Sequence, residues 1–95
     1  MNEIELVGTM VADCFDIEYQ ELFTVKRFAE IETARRFMYY ILNQHYNFSV
    51  TKLSEDFETT DTSIIFSLKH IAHWIKESEL AKKDYFNIIS KLEQL

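Results

Sequence analysis

His70 and His73 stand three residues apart in a segment of helical period, close enough for two imidazoles to face one ligand. With His45 and Cys14 they would make a nominal zinc set. The spacings match no closed zinc motif, and Cys14 falls in an apolar stripe, so no metal site is expected. As acid–base catalysts the histidines lack a companion carboxylate pair or a nucleophile that the sequence places beside them. Neither an enzyme nor a cofactor is expected. The remaining chemistry is recognition, and it centres on Ser49 to His73, which reads as a short helix, a polar break and a longer helix. That is the layout of a DNA-reading helix-turn-helix. Asp61, Thr62 and Ser63 would open its second helix, where base edges are usually reached. Asp can accept from cytosine N4, and Thr or Ser can meet either edge or a thymine methyl. The plainer role for all three is an N-cap and first turn.

The elements that must position these residues are helical. Ile4, Val7 and Val11 form one stripe, with Leu6, Met10 and Cys14 beside it, which predicts a helix over 3–14. Asp16 can cap a short helix over 17–23. Ile31, Ala34, Met38, Ile41, Leu42 and His45 predict a long helix over 30–44, its face widened by Phe37 and Tyr40. Val50, Leu53 and Phe57 point inward from the short helix of the pair. Thr60 or Asp61 can cap the longer one, where Ile64, Leu68, Ile71 and Ile75 recur with Ile65 and Ala72 alongside. Asp84 can cap a last helix bearing Tyr85, Ile88, Ile89 and Leu92. Phe66, Trp74 and Tyr39 lie beside or opposite these stripes, as core or as an exposed aromatic patch.

Composition agrees. The 95 residues are 47% hydrophobic and 15% aromatic, which favours a packed globule, here a single domain over 1–95. With no proline and one glycine, sheets built on tight turns are not expected. A single cysteine and no signal-peptide pattern predict a cytoplasmic protein. No window approaches the roughly 20 apolar residues of a membrane span, so no membrane partner is expected. The net charge of −6 resides in residues 1–23, which hold six acidic side chains and no basic one. Residues 24–76 carry seven Lys or Arg against six Asp or Glu, leaving room for a weakly positive surface.

Val11-Ala12-Asp13, Ile17, Leu22-Phe23, Lys26-Arg27, Ala34-Arg35-Arg36, Leu53, Phe57, Asp61, Ser63, Ile65, Asp84-Tyr85 and Ile88-Ile89 follow one another in a familiar order. From about Ile4 to Leu92 the chain resembles the carboxy-terminal DNA-binding domain of the bacterial replication initiator DnaA. The resemblance implies an all-α fold of five to six helices with a Trp-repressor-like helix-turn-helix at about 49–76. The family signature reads Gly-Gly-Arg-Asp-His-Ser/Thr-Thr-Val. Here the same positions read Glu58-Thr59-Thr60-Asp61-Thr62-Ser63-Ile64-Ile65, so the glycines, the arginine and the histidine are replaced. No G-x-x-x-x-G-K-[ST] run is present, so ATP binding is not expected to transfer. Unless it is an excised domain, the chain is expected to be a stand-alone relative.

By that resemblance Lys26, Arg27, Arg35 and Arg36 would contact DNA phosphates, Lys26 and Arg27 near a minor groove, with Lys52 as a further backbone contact. The plainer role for these cations is a solvated face pairing with Glu30 and Glu32. The expected partner is double-stranded DNA, bound weakly and salt-dependently, with Asp61, Thr62 and Ser63 near the bases. The alternative is a degenerate helical protein-interaction module, with a protein partner or a second copy in place of DNA. The sequence also predicts that Thr60→Arg with Thr62→His raises DNA affinity at constant thermal stability.

Overall fold

The computed structural model describes residues 2–24 and 28–95. Its order is α1 (Glu3–Phe15), a 3₁₀ turn (Tyr19–Phe23), α2 (Ala29–Tyr46), α3 (Val50–Asp56), α4 (Asp61–Glu77) and α5 (Glu79–Glu93). No strand occurs among the described residues.

Each boundary has a local cause. The Asn2 side chain accepts from the Glu5 amide at 2.8 Å, and Glu3 and Glu5 place negative charge at the positive end of α1. Asp16 ends α1 in the left-handed region at φ 55°, so it closes that helix and does not open the next one. Short polar residues tolerate this geometry. Glu18 and Glu21 instead form the capping box of the 3₁₀ turn. Asn47, at φ 60°, ends α2 in the same way. The Ser49 hydroxyl accepts from the Lys52 amide and starts α3.

The long helix α2 packs against α1, the 3₁₀ turn, α3 and α4. Its residues Ala34, Phe37, Met38, Ile41 and Leu42 are fully or almost fully buried, as their spacing requires. The Phe37 ring meets Phe15 of α1 at 5.5 Å and Trp74 of α4 at 5.9 Å between centroids. Leu53, Ile64, Ile71, Ala81 and Ile88 complete the core from α3, α4 and α5. Gly8, the one glycine, lets the 3₁₀ turn close on α1, since a Cβ there would lie 2.7 Å from the Tyr19 ring.

The structure departs from the periodicity in particular places. His45 is exposed and hydrogen-bonds the Tyr85 hydroxyl. Ile65 and Ala72 face outward, whereas Tyr39 is buried. The last helix begins at Glu79, five residues before Asp84. Ser78 caps it by accepting from the Ala81 amide at 3.3 Å, and Ala81 is fully buried. Among the described residues no helix is long and apolar enough to cross a membrane.

Candidate nucleic-acid interface

The turn between α3 and α4 is built on one left-handed residue. Phe57 ends α3, and Glu58 follows at φ 52°. The Thr59 amide donates to the Ser54 carbonyl at 2.9 Å and the Glu58 amide to the Glu55 carbonyl at 3.3 Å. These are the two bonds of a Schellman closure, whose left-handed position favours glycine. The signature glycine of the resembling family falls on that position. A β-carbon in this conformation costs about 1–2 kcal/mol. Glu58→Gly is therefore expected to raise stability by about 1 kcal/mol, after the greater freedom glycine has in the unfolded chain. Chemical denaturation checks this; a lower midpoint would show that Glu58 makes a compensating contact.

Thr60 caps α4, accepting from the Ser63 amide at 3.1 Å. The expectation that position 60 can be changed without loss of stability is thereby corrected, because removing such a cap costs about 1 kcal/mol. Asp61, the first residue of α4, accepts from the Ser54 hydroxyl at 2.5 Å. Ser54 Oγ also lies 2.9 Å from the Thr51 carbonyl. The hydroxyl has one proton for two acceptors, and the closer, charged one takes it. Thr62 and Ser63 are exposed at the start of α4.

Beyond them the outward face of α4 continues through Ile65, Phe66, Lys69, His70, His73 and Lys76, all exposed. Phe66 and His70 stack at 6.0 Å, and His70 meets Trp74 at 6.4 Å. Arg36 reaches this face from α2, its guanidinium carbon 5.3 Å from the centre of the Phe66 ring. Lys69 and Lys76 have no ion pair among the described residues. Steps of three and four from Thr62 place both on the face opposite Ile64 and Ile71, a signal that the helical period carries.

The other predicted cations lie in different settings. Arg35 is turned to the main chain: Nε donates to the Leu22 carbonyl at 2.8 Å and Nη2 to the Thr24 carbonyl at 2.7 Å. It fastens the end of the 3₁₀ turn to α2. Arg36 Nη2 lies 4.0 Å from Glu32. Lys52 Nζ lies 3.2 Å from Asp56 and 4.8 Å from the centre of the Phe48 ring. Such surface pairs are worth at most about 1 kcal/mol, so a phosphate can displace them cheaply. Lys26 and Arg27 lie outside the described residues. Between Leu22–Thr24, Arg35, Arg36, Phe57–Thr59 and the start of α4 runs a groove of about 600 Å³. Tyr39 lines it, and burial pushes the phenol above its ordinary value while nearby Arg35 pulls it down. Among the described residues no group of three His, Cys, Asp or Glu could hold a metal ion.

The family described as the bacterial dnaA protein helix-turn-helix matches residues 4–71. The chromosomal replication initiator protein DnaA of Nostoc sp. is 33% identical over 73 residues, 76% of this chain and 16% of that protein. The same protein of Trichormus variabilis matches at 33% over 73 residues, with the same coverage of 76% and 16%. That of Crocosphaera subtropica is 30% identical over 82 residues, 85% of this chain and 17% of that protein. The chain thus corresponds to about a sixth of the length of these relatives. With α3, the turn and the greater part of α4 inside the matched region, the chain belongs to the bacterial DnaA helix-turn-helix family.

Proposed function

We propose that this chain binds double-stranded DNA without catalysis, laying the outward face of α4 in the major groove. The observation that carries the reading is that face itself. Thr62 and Ser63 stand exposed at its amino end, Lys69 and Lys76 run along it, and Arg36 stands beside it. An exposed helix start of this kind suits base edges, and flanking cations suit phosphates. Thr62 and Ser63 would meet bases together with Asp61. Arg36, Lys52, Lys69 and Lys76 would meet the backbone, as would Lys26 and Arg27. Arg35 would act indirectly, by holding the chain that leads to Lys26 and Arg27. The relatives are named replication initiators, which favours chromosomal DNA as the target class.

A second reading is a helical protein-interaction module. Ile65 and Phe66, 42% and 58% exposed on α4, favour it, as does the net charge of −6. Titration of a mixed duplex library at low salt separates the two. Detectable retention supports DNA binding; none, at protein concentrations where the fold is intact, supports the interaction module.

Thr60→Arg with Thr62→His adds to this test. Arginine at 60 brings a bidentate donor toward guanine, worth roughly 1–3 kcal/mol, and offsets the charge of Asp61. Tighter duplex binding is expected, with a stability loss of about 1 kcal/mol from the missing cap. A double variant that binds no better than the parent would show that the start of α4 does not face DNA.

A further inference from the structure

An aspartate in the first turn of a helix has two easy alternatives to facing a ligand. It can fold back onto its own backbone amides, or it can rotate freely in water. Asp61 does neither. Thr60 already takes the capping bond from the Ser63 amide, so the nearest backbone donor is occupied. Ser54, on α3 and only 7% exposed, fixes Asp61 Oδ1 from behind. The same serine closes the turn by accepting the Thr59 amide at its carbonyl. Oδ2 has no partner among the described residues, and Asp61 as a whole is exposed. The carboxylate is therefore held at one oxygen and open at the other.

We infer that Ser54 is a positioning residue for base readout: through Asp61 it holds one free carboxylate oxygen toward the major groove, where it accepts from the N4 amino group of cytosine. The inference rests on the proposed DNA binding and adds a specificity to it. Cytosine N4 is a major-groove hydrogen-bond donor that suits a carboxylate, as adenine N6 does, but adenine N6 stands beside the acceptor N7, which a carboxylate repels. Without the Ser54 bond, Asp61 has no fixed direction. It then acts mainly as a charge that repels phosphates at every sequence.

Affinity selection from a randomised duplex library, followed by sequencing, tests this on the 95-residue chain. The parent should enrich cytosine at one position, by roughly five- to tenfold over the other bases. Ser54→Ala keeps the turn carbonyl and removes only the hydroxyl. It should flatten that position while leaving the salt dependence of binding unchanged, because no phosphate contact is touched. Asp61→Asn should flatten it as well, and the double variant should lose no more than either single one. A purely structural serine would lower the melting temperature and leave the base profile intact, and that result would overturn the inference. So would a parent profile without a cytosine position. A parent that retains no duplex at all would fell the DNA reading itself, and this inference with it.

Discussion

Raising the salt concentration from about 50 to about 200 mM weakens duplex binding by roughly 500-fold, the expected result if about five phosphates are contacted and each releases ~0.9 counterion. The estimate follows from the cations around α4. Arg36 and Lys52 each give up a weak surface pair, with Glu32 and Asp56, when a phosphate replaces the carboxylate. Among the described residues Lys69 and Lys76 have no such pair to break. Arg36→Ala should lower affinity for all sequences alike and reduce the salt slope by about 1. Anisotropy titrations at several salt concentrations measure both quantities. A flat salt response would mean that binding, if any, does not proceed through phosphates, and the exposed Ile65 and Phe66 would become the leading contact surface.

Phe37→Ala carries the largest expected cost to the fold. The ring is fully buried and touches both Phe15 and Trp74, so its loss leaves a cavity at the junction of α1, α2 and α4. Truncations of this kind cost about 3–5 kcal/mol. In a domain of this size each kcal/mol corresponds to about 4–8 °C, so the melting temperature should fall by at least about 12 °C. Thermal unfolding followed by circular dichroism reads the effect. A shift of only a few degrees would show that the neighbouring rings collapse into the gap.

Much of the architecture was legible in the residues. Apolar spacing in α1, α2 and α4 is regular, so their place and length followed from periodicity, and the polar break at 58–60 marked the turn. What escaped has a physical pattern. The first turn of α5 is mostly polar and exposed, and only the small Ala81 is buried there, so no stripe announced its start. Asp16 suits both the beginning and the end of a helix, and composition does not distinguish them. Arg35 and Arg36 are adjacent arginines and read alike in sequence, but Arg35 is turned to the main chain. Its partners are carbonyls of residues 22 and 24, which no side-chain pattern encodes. The bond between Ser54 and Asp61 spans seven residues and the turn, and it became visible only once α3 and α4 were placed. The exposure of Lys69 and Lys76, by contrast, follows from the helical period of α4.

The single-residue joint at Ser78 bears on how much chain is needed to make a working unit. Its amide still belongs to α4, donating to the Trp74 carbonyl at 2.8 Å, while its hydroxyl already starts α5. With one shared residue between them, the two helices form one bent rod. One arm carries the face proposed for DNA, and the other packs on α1, where Lys91 pairs with Asp13. The family match stops at residue 71, inside the first arm. A fragment cut at that limit would keep the whole helix-turn-helix up to its last turns and lose the brace that sets its angle. The smallest autonomous piece of this protein is therefore expected to be larger than the stretch 4–71 that the family match covers.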